Sequence, residues 1–203
     1  MNLDRVFVYR DFRCGGAAFT SSLAKMLDKK FAFFTYIDET FDDTTMLFNT
    51  HEFDTLEEAI NRYDPVLIRC ERKNKVEQFF SLRTAFYLDN PDLLNITEDT
   101  KVESLEQFDR FAKSKVIVSK DTVIDFVEER KVIDELWNRF TKDRETQTVY
   151  YEDIVKNTVD IPLLNLYNVK LELNEHTKKF PDYKRAVYVN YNEVNEWINE
   201  LYK

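Results

Sequence analysis

Two adjacent residues, Gly15 and Gly16, are the only glycines in a chain of 203 residues. An average composition would give a chain of this length about 14 glycines, so the sequence avoids this residue almost everywhere else. Glycine is retained where the backbone takes a positive φ or approaches another group closely. The pair follows the apolar segment RVFVYR, residues 5–10, which has the composition of a buried strand. The pair therefore marks a point where the backbone is expected to take a positive φ or to approach a ligand closely.

The chain is acidic and rich in apolar side chains. Hydrophobic residues make up 43% of it and aromatic residues 15%, which is enough for a sizeable core and excludes a mainly disordered chain. Its formal net charge of −9 opposes binding to nucleic acid, because an acidic protein repels polyphosphate unless it carries a strong basic patch. These features predict one domain over residues 1–203 with no nucleic-acid partner.

The number of cysteines and the length of the apolar runs indicate the cellular compartment of the protein. Cys14 and Cys70 are too few for a disulfide framework or a four-ligand zinc site, so reduced thiols and no metal are expected. The first residues contain no apolar signal region, and 18 apolar residues never run together. A cytoplasmic protein without a membrane span is therefore predicted.

Strand-like and helix-like patterns alternate along the chain. Alternation of this kind predicts a three-layer α/β/α fold with a central, mainly parallel sheet. Strands are predicted at residues 5–10, 31–37, 65–70 and 148–151. Helices are predicted after Gly16, at about 55–63, after 75, at 123–140 and at 194–202.

The segment Arg13-Cys14-Gly15-Gly16-Ala17-Ala18 lies between the first strand and the first helix. A helix N-terminus at the carboxyl end of a parallel strand presents N–H groups to an anion, and glycines let the backbone wrap a phosphate. The ordinary alternative is a strand-to-helix turn that uses glycine for its geometry alone. Neither the ATPase P-loop pattern nor the three-glycine dinucleotide pattern is present.

The densest basic stretch of the chain follows the predicted strand 65–70. Clustered cations at a strand's carboxyl end suit a second phosphate, with a serine hydroxyl on the next helix as a further donor. A solvated charged loop, balanced by Glu71 and Glu77, is the alternative. The residues concerned are Arg69, Arg72, Lys73, Lys75 and Ser81.

Five segments in the correct order resemble the sulfotransferases that use 3′-phosphoadenosine 5′-phosphosulfate (PAPS). The segment FRCGGAAFTSSL resembles their first loop, and RKNKVEQFFSLRTA (72–85) resembles the RRDKxxQAxSLxxA string of bacterial members. The segment VYYEDI (149–154) is similar to their YED strand end, and Asn49-Thr50-His51 is similar to a KTH segment. The last segment, 178–194, resembles their closing basic region. Gly16 and Ala17 depart from the family, which has hydroxyl residues there, and Lys73 replaces the usual Arg.

The resemblance implies a P-loop-like fold, PAPS as sulfonate donor and 3′-phosphoadenosine 5′-phosphate (PAP) as product. It implies that residues 13–18 hold the 5′-phosphosulfate, with Arg13 also catalytic, and that Arg72, Lys73 and Ser81 hold the 3′-phosphate. Tyr151 would lie near the adenine. Residues of about 90–145 would form a helical region on the side of the acceptor, a small molecule or glycan. The basic residues that could close over the 3′-phosphate are Lys178, Lys179, Lys184 and Arg185.

Two residues compete for the role of catalytic base. His51 titrates near neutral pH and resembles the catalytic histidine of cytosolic members, and Glu39 resembles the carboxylate of others. Asp38 and His176 are weaker candidates. Two other functions remain open, a catalytically inactive nucleotide-binding module of the same fold and a nucleotide kinase-like phosphotransferase. The missing P-loop lysine disfavours the second of these.

Overall fold

The structure is a computed structural model, and it describes residues 2–28, 30–33, 45–50, 52–87, 111, 113–156, 159–170 and 183–203. Two compact units make up the chain. Unit 1 comprises Met1–Lys73 and Glu135–Asn174, and unit 2 comprises Asn74–Asp134 and Glu175–Lys203. A single domain over residues 1–203 stays a prediction, because two compact units of one chain can belong to one domain or to two.

Helices and strands alternate through most of the described residues. The helices are α1 (Gly16–Met26), α2 (Phe53–Tyr63), α3 (Lys75–Tyr87), α4 (Lys120–Thr141), α5 (Tyr151–Ile154), α6 (Tyr183–Val187) and α7 (Tyr191–Leu201). The strands are β1 (Asn2–Arg10), β2 (Lys30–Phe33), β3 (Thr45–Thr50), β4 (Pro65–Glu71), β5 (Thr146–Tyr150), β6 (Val159–Ile161) and β7 (Leu166–Val169).

Unit 1 is built on a five-stranded sheet in the order β2-β3-β1-β4-β5, in which all neighbouring strands are parallel. A mixed α/β fold with a parallel sheet is therefore confirmed. Strand β3 was not predicted, because Thr45–Thr50 has few β-branched apolar residues and follows two acids. The antiparallel pair β6-β7 was not predicted either. Of the predicted strand 31–37, residues 34–37 lie outside the described residues.

The two faces of the sheet in unit 1 pack against different helices. Val6 and Val8 of β1 share a buried cluster with Phe19 of α1. The alternate residue Tyr9 points to the other face, where its ring lies 4.5 Å from that of Phe53 in α2 and 5.7 Å from that of Trp137 in α4. The period of two along β1 therefore separates two layers of helix. The connection after β1 and the connection after β3 leave the sheet on opposite faces.

Unit 2 has a separate core that is rich in aromatic residues. The rings of Phe79 and Phe126 are 5.2 Å apart, and the ring of Phe80 stacks on that of Tyr191 at 4.6 Å. The three phenylalanines belong to one buried cluster with Val187 and neighbouring side chains of α3, α4 and α7, and the partly buried Tyr191 packs against it. The predicted helices at 123–140 and 194–202 are confirmed as Lys120–Thr141 and Tyr191–Leu201. No helix among the described residues has the length and apolar character that crossing a membrane requires.

We expect that Asp11→Ala lowers the free energy of unfolding by about 3–5 kcal/mol, because it leaves the buried Arg69 cation without its carboxylate. The Asp11 and Arg69 side chains are 0% and 6% exposed, with Arg69 Nη2 at 3.3 Å from Asp11 Oδ2. Urea denaturation measures the change. The exposed pair Arg62–Glu58 is the control, and Glu58→Ala should change stability by about 0.5 kcal/mol or less. Equal losses in the two variants would contradict the prediction.

Candidate functional site

The loop between β1 and α1 takes a left-handed backbone at two positions, Arg13 (φ 58°) and Gly15 (φ 73°). Gly15 is the N-cap of α1, and no side chain caps the helix there. The first hydrogen bond of the helix runs from Phe19 N–H to Gly15 O at 3.1 Å. The amides of the first turn therefore have no acceptor within the helix, and the left-handed residue before them makes a concave group of N–H donors.

Gly15 is required by backbone geometry and by packing, and Gly16 is required by packing. A Cβ on Gly15 would lie 2.9 Å from Cδ2 of Tyr151, and a Cβ on Gly16 would lie 2.7 Å from Cβ of Arg10. The ordinary alternative, glycines that serve the turn alone, therefore accounts for the pair without a ligand. Evidence for a binding site must come from the groups that surround the loop.

Three segments that are distant in sequence meet at the carboxyl edge of the sheet. Tyr151, which begins α5 after β5, packs against Gly15. The guanidinium carbon of Arg72, the residue after β4, lies 4.2 Å from the centre of the Tyr151 ring. Arg72 is 9% exposed. The structure thus brings together three predicted site residues from three separate motifs, because parallel strands end at the same edge.

Lys73 is held differently from Arg72. Its Nζ lies 4.0 Å from the centre of the Tyr150 ring and 3.6 Å from Asp153 Oδ2, and its N–H donates to Glu152 Oε2 at 3.1 Å. The side chain is 54% exposed. The Asp153 carboxylate therefore offsets the charge of the Lys73 ammonium, and a phosphate would have to compete with it.

The remaining loop residues differ in exposure. Arg13 and Ala18 are partly buried, whereas Cys14 is buried. Ala17 belongs to α1. The Thr20 hydroxyl donates to Gly16 O at 2.6 Å within the helix and so is engaged there.

The other predicted residues lie in unit 2 or outside the described part of the chain, so their place at this site stays a prediction. Ser81 is partly buried on α3 in unit 2, so its pairing with Arg72 stays a prediction. Lys184, also in unit 2, forms an ion pair with Glu77. Of the region 90–145, only residues 111 and 113–145 are described. The predicted residues outside the described part of the chain are His51, Glu39, Asp38, His176, Lys178 and Lys179.

Sequence reasoning missed a buried polar pair beside the loop. Asp11 is 2% exposed directly after β1, and Arg69 is 5% exposed within β4. An acid next to an apolar strand and an arginine inside one are the sequence signals that could have identified the pair. Where the chain is described, no three metal-ligating side chains lie close enough together to hold an ion.

The thiols of Cys14 and Cys70 interact inside the core of unit 1. Burial raises the pKa of Cys70 well above its ordinary value of 9.0, and a hydrogen bond with Cys14 adds to the effect. Both cysteines are free. A protonated, buried thiol is a poor nucleophile, so Cys70 is a packing group at the base of the loop.

A cleft of about 280 Å³ lies beside β5 in unit 1. Asp153 and Asp160 line it, together with Asn168 of the β6-β7 pair. Asp160 Oδ1 accepts a hydrogen bond from the Asn168 N–H at 2.7 Å. Because its charged lining is acidic, the cleft does not suit a phosphate, and the loop edge is the better candidate for an anion.

Comparisons with models of protein families, with curated proteins and with solved structures gave no match for this chain.

Gly15→Ala should lower the free energy of unfolding by about 1–2 kcal/mol from the left-handed backbone alone, and by more because of the contact with Tyr151. In a Tyr151→Ala background the contact is gone, so the same substitution should cost less. Gly16→Ala is the matched control, because its close contact is with Arg10 and should not depend on Tyr151. Denaturation of the single and double variants measures both differences. Identical costs of Gly15→Ala in the two backgrounds would contradict the packing.

Cys70 should make stability fall at alkaline pH. The pKa of Cys70 is raised in the folded state. Its contribution to the free energy of unfolding is therefore complete below the pKa of the unfolded chain, near 9.0, and is lost as the pH rises through the pKa of the folded chain. A thiol that is ionised in the unfolded chain but protonated in the folded chain lowers the free energy of unfolding by about 1.4 kcal/mol per pH unit. Cys70→Ala should therefore show a shallower loss of stability between pH 8 and 10 in denaturant titrations. Parallel curves for the variant and the unmodified protein would refute the assignment.

Proposed function

We propose that this protein binds an adenine nucleotide with phosphates on both its 3′ and 5′ sides and acts as a PAPS-dependent sulfotransferase with a P-loop-like fold. The observation that carries the proposal is the meeting of Gly15, Tyr151 and Arg72 at one edge of the parallel sheet. These residues come from three motifs that resemble sulfotransferase motifs. Nothing in their spacing along the chain requires them to meet.

The topology of the sheet supports a ligand at this edge. Strand β1 lies between β3 and β4, and the connections after β1 and β3 leave on opposite faces. Open α/β sheets bind their ligands at the carboxyl ends of strands where connections diverge in this way. The loop 13–16 stands at that position.

The donors on either side of Tyr151 fit two separate phosphate groups. The first-turn amides of α1 and the Arg13 guanidinium suit the 5′ side, since a helix N-terminus favours negative charge. The Arg72 guanidinium suits the 3′-phosphate. Lys73 would join it only after leaving Asp153, and Ser81 would be a further donor. Tyr151, which contacts Gly15 and Arg72, would supply an aromatic ring for the adenine.

When bound, PAPS supplies the sulfonate group and is released as PAP. The protein's residues would position the acceptor hydroxyl in line with the sulfur, offset the charge that develops on the bridging phosphate oxygen and take the hydroxyl proton. Arg13 and the loop amides would offset the charge on the bridging oxygen. His51 and Glu39 are the candidates for taking the hydroxyl proton. Sulfonate transfer in this form needs no metal.

An inactive nucleotide-binding module of the same fold is the second candidate. Two observations favour it: Gly16 and Ala17 stand where the resembling family has hydroxyl residues, and the Thr20 hydroxyl is engaged with Gly16 O. In such a protein the nucleotide would bind without transfer. A kinase-like phosphotransferase has no comparable support.

Calorimetric titration with PAP, ATP and AMP tests binding. We expect PAP to bind at least about tenfold more tightly than AMP, because only PAP carries the 3′-phosphate that the Arg72 guanidinium would bind. Arg72→Ala should remove most of this preference while AMP affinity changes little. Arg62→Ala on α2, whose side chain is 43% exposed, is the control and should leave both affinities unchanged. Equal affinities for PAP and AMP, or preference for ATP, would refute the bisphosphate site.

Transfer of labelled sulfonate from PAPS to a panel of alcohols and sugars separates the two candidates. Loss of transfer in His51→Ala but not in Glu39→Ala would identify the histidine as the base, and the reverse result would identify the glutamate. Tight PAP binding with no transfer to any acceptor would favour the inactive module.

A further inference from the structure

Asp11 is fixed at the point where the chain leaves β1 for the loop. Its N–H donates to Cys70 O at 3.0 Å, which continues the pairing of β1 with β4 by one residue. Its carboxylate accepts from Arg69 Nη2, which lies 3.3 Å from both carboxylate oxygens. Main chain and side chain are thus both attached to β4.

The Arg69 side chain, which pairs with Asp11, is also fixed by its packing. Arg69 lies within β4 and is 5% exposed, and its guanidinium carbon is 5.8 Å from the centre of the Trp137 ring. Trp137 is itself 5% exposed and packs on Tyr9 of β1. Rotation of either side chain of the pair would therefore disturb a close-packed layer.

The distance along the chain from this pair to the anion-binding amides is short. Four residues, 12–15, separate Asp11 from the first residue of α1, and two of them take the left-handed conformation. The start of α1 at Gly16 packs directly on Arg10, the residue before Asp11. A change in direction at Asp11 would therefore move the amides of the first helical turn.

A buried ion pair adds little stability over an apolar pair of the same size, although breaking one is costly. Its directional bonds can still specify one path for the chain. We propose that Asp11 and Arg69 are positioning residues, which set the loop so that its amides receive a 5′-phosphate without themselves touching the ligand. This inference rests on the proposed function.

The charge of Asp11 makes the inference testable. Replacing a carboxylate near an anion site with a neutral amide removes repulsion, so electrostatics alone predicts tighter binding of every nucleotide by Asp11→Asn. A positioning role predicts weaker binding, and only of ligands with a 5′-phosphate. Arg69→Gln removes a positive charge, for which electrostatics predicts the opposite effect. Weaker binding of 5′ ligands by both variants is therefore specific to positioning.

The experiment is calorimetric titration of the full chain with 5′-AMP and 3′-AMP. We expect each variant to bind 5′-AMP about tenfold more weakly, the effect of losing about one hydrogen bond, and to bind 3′-AMP as the unmodified protein does. Leu56→Ala, which creates a cavity at a fully buried position of α2, is the control for lost stability and should affect neither ligand. Urea denaturation verifies that each variant is folded at the temperature of titration.

The outcomes separate the inference from the proposed function. If the unmodified protein binds neither nucleotide, the proposed function fails and the inference falls with it. If it binds both, but Asp11→Asn binds 5′-AMP unchanged or more tightly, or weakens both ligands equally, the inference alone is overturned. If Asp11→Asn does not fold, Arg69→Gln decides by the same comparison, and Asp11→Glu should restore part of the affinity for 5′-AMP.

Discussion

At Gly15 the backbone is left-handed and the ring of Tyr151 occupies the space in which a Cβ would lie. This steric constraint connects the loop after β1 to the residue after β5, and Arg72 continues the contact to the end of β4. The segments that follow β1, β4 and β5 are thereby packed together. Any function at this edge depends on a position where only glycine fits without strain.

Charge at this edge is arranged in two layers. Arg69 is buried within β4 and pairs with the buried Asp11 directly after β1, whereas Arg72 and the first-turn amides of α1 follow at the edge itself. Lys73 is engaged with Asp153 although the sequence suggested that it is available to a phosphate. A local site for a small anion is thus compatible with a protein whose net charge is −9, because a few oriented donors outweigh a diffuse field at short range.

Elements with a strong pattern were predictable and weakly patterned ones were not. Strand β4 and helices α4 and α7 are present where their apolar residues predicted them. Burial of those apolar residues in the core stabilises each element, so the pattern is a direct signal of the structure. Strand β3 and the β6-β7 pair were missed, since short segments with mixed composition acquire their structure from neighbouring strands. Tyr151 was assigned to a strand end, and it begins a short helix instead.

The sequence by itself determined that a strongly apolar strand leads through the only two glycines into a helix, and that basic residues follow a second such strand. It also determined the acidic balance of the chain. Only the tertiary structure decided that Gly15, Tyr151 and Arg72 meet, that Lys73 turns to Asp153, and that Asp11 and Arg69 are buried together. Local patterns reflect interactions over a few residues, whereas these contacts depend on strand order and register, which are set by the packing of the whole sheet.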